Sequence, residues 1–178
     1  SANPYVVGGA SLVYDNHSGG GDALGSNLVT GNDSTFSGTS SNWVVYNTGS
    51  ATAALSYNSS ELIITVDSAV AASSDSAGAK LEITSSLTAN KTYKITADIW
   101  LGTLTPDPAT GIHMHLGSIQ RVVPDLTTTR RTYTWYGTTT STNDLFFFHD
   151  DADNNEDGTF FIDNVSVQLV NGNTGKLS

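Results

Sequence analysis

GTFFIDNVSVQLV, Gly158 to Val170, is a long run of aromatic and β-branched residues with turn-forming sequence on either side. Such side chains suit a pleated, half-buried surface, so the run predicts a strand. One acid, Asp163, interrupts it, and a carboxylate in an apolar strand needs a partner that offsets its desolvation. The acidic stretch HDDADNNEDGT, His149 to Thr159, leads into the run. Within it Asp153, Asn155, Asp157 and Gly158 form D-x-N-x-D-G, the front half of a calcium loop. Alternating oxygen donors on a tight turn converge on one hard cation, and the glycine permits the bend. The glutamate customary at the twelfth place is replaced by Asn164. A solvated hairpin tip is the other reading of the same residues.

Outward from this run, period two recurs along the chain. In ELIITVD, Leu62, Ile64 and Val66 share a face; in KTYKITADIWLG, Tyr93, Ile95, Ala97, Ile99 and Leu101 oppose Lys94, Thr96, Asp98 and Trp100. GIHMHLG sets Ile112, Met114 and Leu116 against His113 and His115, and RTYTWYGT sets Tyr133 and Trp135 against Thr132, Thr134 and Tyr136. NNEDG, TANK, PDPATG and TSTND supply turn chemistry between such runs. DSAVAASSDSAGA, residues 67–79, has enough alanine for a short helix, but its serines favour a loop. The pattern predicts an all-β fold, two antiparallel sheets packed face to face.

At 178 residues the chain fits one domain with a core large enough to need no disulfide, and it contains no cysteine. Seventeen acidic against seven basic residues give a net charge of −10, which repels phosphate backbones and anionic lipids. Nucleic acid and membrane surfaces are therefore poor partners, while neutral ligands and divalent cations are compatible. No apolar run reaches transmembrane length and no signal-peptide pattern opens the chain, so a mature fragment or excised domain is expected. The Gly/Ser-rich stretch 1–26 reads as a linker or arm, residues 27–170 as the sandwich, and 171–178 as a second linker stub.

Three segments resemble the jelly-roll carbohydrate-binding modules of the family 4, 9 and 22 type. NLVTGNDSTFSGTSSNW (27–43) is similar to their opening motif, SLTANKTYKITADIWLG (86–102) to a central strand, and GTFFIDNVSVQLV to their closing strand. The acid often found just after the opening phenylalanine is missing here. The resemblance implies a structural calcium ion held by Asp163 together with Asp33 and Thr35, and a concave sheet that binds a poly- or oligosaccharide. It also implies an extracellular setting, on a secreted enzyme or in a phage tail or fibre, where such modules serve adhesion; a monomer is favoured.

An exposed tryptophan on a sheet suggests a ligand platform, because sugar C–H faces stack on aromatic rings while polar side chains bind the hydroxyls. Trp100 and Asp98 on one strand, with His113 and His115 on the next run, are the expected centre of that platform. Tyr136, Phe146, Phe148, Gln120 and Arg121 extend it. Packing of Trp100 under a loop of its own domain is the competing reading. The His113/His115 pair favours ligand hydrogen bonding over a metal centre, since no third ligand stands at a suitable spacing. Glycoside hydrolysis needs two carboxylates across a cleft; Asp98 has no evident second acid, so a non-catalytic module is expected.

Overall fold

A computed structural model describes residues 23–38, 41–58, 60–67, 75–83, 86–106, 111–142, 144–150 and 157–171. Among them are eleven strands and one helical turn. In chain order these are β1 (Leu24–Asn27), α1 (Asn32–Thr35), β2 (Val44–Asn47), β3 (Thr52–Tyr57), β4 (Leu62–Asp67), β5 (Ala77–Leu81) and β6 (Lys91–Leu101). They continue with β7 (Ile112–Leu116), β8 (Ile119–Val122), β9 (Arg131–Thr139), β10 (Leu145–His149) and β11 (Gly158–Val170). One sheet runs β3-β4-β11-β6-β9, with β1 also paired to β11; the other runs β2-β5-β10-β7-β8. Every pairing is antiparallel. The two antiparallel sheets packed face to face that the periodicity predicts are the fold, and they form the jelly roll that the resemblance implies.

The alternating apolar residues of both sheets face each other. Leu62, Ile64, Tyr93, Ile95, Ile99, Met114, Leu116, Phe147, Phe160 and Ile162 are all sealed in the shared core. Burial of each such side chain contributes about 1.5–3 kcal/mol relative to exposure, so the inner faces fix which way every strand turns.

β11 carries an irregularity that explains its acid. Its register with β6 steps from Asp163↔Asp98 to Ser166↔Thr96, so Asn164 and Val165 together oppose Ala97. This is a β-bulge. Asn164 holds a left-handed backbone (φ 48°), which asparagine tolerates better than a β-branched residue would. The bulge resets the alternation: Phe160 and Ile162 point inward before it, Val165 and Val167 after it, and Asp163 is turned to the outer face.

Two sequence expectations need correction. Residues 24–26 belong to β1 and not to the arm, since Leu24 pairs with Val170 and Asn27 with Gln168. Residues 77–79, expected in a loop, begin β5, a central strand of the second sheet. Ala77 and Ala79 are fully buried there, and small residues suit a strand flanked by β2 and β10. The proposed linkers 1–22 and 172–178 lie outside the described residues.

Candidate functional site

The two halves of the expected platform lie on opposite sides of the molecule. Trp100 and Asp98 stand on β6, in the first sheet, and His113 and His115 on β7, in the second. All four face outward, away from the common core. A single surface joining them does not form, because period two tells which side of a strand a residue takes but not which sheet the strand joins.

On the first sheet, Trp100 is half-buried. Phe161 of β11 stacks on it with ring centroids 5.2 Å apart and planes 13° apart. From the β9 side the Arg130 guanidinium lies 4.9 Å from the centre of its ring. Since β11 and β9 flank β6 on opposite sides, Phe161 and Arg130 approach the ring from the two neighbouring strands. Arg130 donates from Nε (2.9 Å) and Nη2 (2.8 Å) to Asp98 Oδ2, and from Nη2 also to Asp163 Oδ2. Thr132 Oγ1 and Asn164 Nδ2 donate to Asp98 at 2.5 and 2.9 Å. Burial pushes the Asp98 carboxyl up, but the bonds from Thr132, Asn164 and Arg130 outweigh it and hold the group below its ordinary value. Tyr136 is on this same outer face opposite Lys94, six residues along β6 from Trp100 and so about 20 Å away. Lys94 Nζ sits 5.9 Å from the centre of the Tyr136 ring.

The second sheet presents a different surface. Cross-strand register places Tyr46 beside Gly78, Gly78 beside Phe148, Phe148 beside His113, Phe146 beside His115, and His115 beside Gln120. Gly78 is required here, because a Cβ would lie 2.3 Å from the Phe147 carbonyl oxygen and 2.4 Å from the Phe148 Cα. Tyr46 fills the space above it, meeting Phe146 edge-on at 4.9 Å and Phe148 at 5.4 Å. His115 meets Phe148 edge-on at 4.7 Å, and His113 lies 5.5 Å from it. Phe148, named in the expected platform, is therefore only 4% exposed; it is the floor under Tyr46 and the histidines, which with Phe146 remain half-exposed.

Polar groups border this strip. Lys80 pairs with Asp144 at 3.3 Å, and His113 Nδ1 lies 3.8 Å from Asp150 Oδ2, while Asp150 Oδ1 accepts from Ser76 Oγ. Burial lowers the His115 pKa and the neighbouring His113 lowers it further, so the ring is neutral at pH 7. Gln120 is exposed at the far edge, on β8. Arg121 is opposite Met114 in register, so it alternates away from Gln120, and its Nη1 donates to the Gln120 carbonyl. From β2 to β8 the strip crosses five strands, about 19 Å.

The residues expected to hold calcium are not one cluster. The opening segment does reach the closing strand, through Ser34 Oγ to the Val165 carbonyl and Leu28 N–H to the Val167 carbonyl, which is beyond the bulge. Asp33 accepts from Asn42 through both carboxylate oxygens, and Thr35 Oγ1 donates to Gly31 and Ser37. Asp163 instead meets Arg130, and its Oδ1 is buried with no hydrogen-bond partner among the described residues. A guanidinium on the shared carboxylate opposes a dication there, so the donors at Asp163 do not fit a calcium ion. Asp157 is exposed just before β11, while Asp153 and Asn155 lie outside the described residues. No group of three His, Cys, Asp or Glu side chains suited to a metal occurs among the described residues.

No protein-family model and no curated protein matches the sequence. Solved structures do. The CBM22-1 xylan-binding domain of Paenibacillus barcinonensis Xyn10C matches with a TM-score of 0.52 and 12% identity, over 82% of this chain and 96% of that one. A CBM4 structure matches at 0.51 and 17% identity, over 81% and 94%. The fold is that of jelly-roll carbohydrate-binding modules. The enzymatically active domain of bacteriophage CBA120 tailspike protein 4 contains a similar part, with a TM-score of 0.51 and 15% identity over 80% of this chain and 21% of that one.

Of the residues that shape the two outer faces, sequence reasoning missed Tyr46, Arg130, Asn164 and Phe161. Tyr46 carried a signal, since it alternates with Val45 in VVYN. Arg130 carried none: it precedes β9 in a loop, where no periodicity gives its direction.

Proposed function

We propose that this chain is a non-catalytic carbohydrate-binding module that takes a poly- or oligosaccharide on the outer face of the β2-β5-β10-β7-β8 sheet. The observation carrying this reading is the strip of Tyr46, Phe146, His113 and His115, contiguous and half-buried on a floor made by Phe148 and Gly78. Ring edges and faces there suit sugar C–H groups, while Gln120, Asp150, Lys80 and the imidazoles suit hydroxyls. On the other sheet the Trp100 ring is already engaged by Phe161 and Arg130. One structural relative is a xylan-binding domain, which makes xylan the first ligand to try. Such a ligand implies a setting outside the cell, and among the described residues no helix is long and apolar enough to cross a membrane.

Titration calorimetry with xylan, mixed-linkage β-glucan and mannan oligosaccharides tests the reading. At least one is expected to bind, with Tyr46→Ala or Phe146→Ala weakening it roughly tenfold, about 1.4 kcal/mol, and Trp100→Phe leaving Kd unchanged. Failure of all three sugars, or loss of binding in Trp100→Phe alone, contradicts it.

The tailspike similarity favours one alternative, a structural module of a phage fibre. Sedimentation distinguishes the two: a monomer supports the binding module, and an obligate trimer supports the fibre.

Calcium belongs to the proposal only at Asp33. That carboxylate lies in a polar pocket with Thr30, Asn32, Ser41 and Asn42, all bearing side-chain oxygens. These are the hard donors a calcium ion takes.

A further inference from the structure

We infer that Arg130 is the resident cation of the closing strand, filling at Asp163 the place that a structural calcium ion would otherwise hold. The bulge in β11 turns Asp163 outward, directly across from Asp98 of β6. Two carboxylates at one cross-strand position repel, and both are largely withdrawn from water, with side chains 7% and 11% exposed. A positive charge between them offsets that repulsion.

Arg130 supplies it with directional donors. Its Nε and Nη2 converge on Asp98 Oδ2 and its Nη2 also reaches Asp163 Oδ2, so one group bridges both acids. The guanidinium is planar and weakly hydrated, which lets it lie against Trp100 while it bonds. Trp100 is in turn stacked on Phe161, so the aromatic pair forms a wall that fixes the cation and screens it from solvent on that side. Thr132 and Asn164 complete the shell of Asp98. Asn164 is the bulge residue itself, so the same irregularity that aims Asp163 outward also delivers a donor to its neighbour.

The set therefore forms an inward-looking unit: two acids, one arginine, an amide, a hydroxyl and two rings, contributed by β6, β11, β9 and the residue just before β9. It explains why Trp100 and Asp98 stand out in the sequence without serving a ligand. Asp33 is held by Asn42 and takes no part. Asp163 Oδ1 is the one acceptor left over, and it is the oxygen through which an ion would compete.

Thermal melts of the full chain test this, with and without EGTA, on wild type, Asp163→Asn, Arg130→Met, Arg130→Lys and the triple variant carrying Arg130→Met with Asp98→Asn and Asp163→Asn. Arg130→Met is expected to lower Tm by about 5 °C, Arg130→Lys by less, and the triple variant to regain most of the loss, because neutral amides no longer require a cation. EGTA is expected to shift wild type and Asp163→Asn equally, whatever ion binds elsewhere. The inference is overturned if EGTA lowers Tm in wild type but not in Asp163→Asn, which would make Asp163 a calcium ligand. It is equally overturned if Arg130→Met and Arg130→Lys both melt like wild type.

Discussion

His115 and Trp100 show how differently two outward-facing rings can be used. Trp100 has a phenylalanine stacked on it and a guanidinium 4.9 Å from its centre, and that guanidinium bonds Asp98 and Asp163. His115 touches Phe148 edge-on and is left half-exposed beside Gln120. Burial and the nearby His113 depress its pKa, while Asp150 partly opposes them. The neutral form is thus favoured in the folded protein, and its contribution is complete above the ordinary histidine pKa of about 6.5. It is lost only as pH falls through the depressed value. Sugar affinity is accordingly expected to be level from pH 8 to pH 6.5 and to weaken below that, with His115→Gln removing the pH dependence but keeping a hydrogen-bonding side chain. Calorimetry across this range checks it; a steep loss between pH 8 and 7 would assign the titration to another group.

At the scale of strands, β11 and β6 are the elements most legible in the sequence. The alternation of KTYKITADIWLG specified an inner face that the core bears out in Tyr93, Ile95, Ala97 and Ile99, and the aromatic and β-branched run GTFFIDNVSVQLV specified a strand. What alternation alone could not give was the bulge at Asn164, because a single left-handed residue leaves the composition of a strand unchanged. β5 was illegible for the opposite reason. Ala77, Gly78 and Ala79 have little β-propensity of their own and are held as a strand by β2 and β10 on either side. The floor of the candidate site depends on that close approach. Gly78→Val is expected to destabilise the fold by about 1–3 kcal/mol, since the new side chain meets Phe147 and Phe148 backbone rather than a movable side-chain end. Denaturant unfolding measures this, and an unchanged midpoint would show that β5 and β10 can separate at no cost.

For the whole molecule, the arrangement of sheets decides function more than any motif does. Asp98, Trp100, His113 and His115 alternate outward on their strands, yet β6 and β7, consecutive in the chain, lie in different sheets. The aromatic and polar residues therefore divide into an inward-looking ionic cluster on one side and a bordered open strip on the other. Beside the strip Lys80 pairs with Asp144, and His113 Nδ1 lies 3.8 Å from Asp150 Oδ2. The most direct measurement is a 1H–15N correlation spectrum of the labelled chain followed during titration with a xylan or β-glucan oligosaccharide that binds. Binding on the proposed face predicts shifts concentrated at Tyr46, Gly78, Lys80, His113, His115, Gln120, Phe146 and Phe148. Shifts concentrated instead at Trp100, Arg130, Thr132, Phe161 and Asn164 would contradict it and return the ligand to the other sheet.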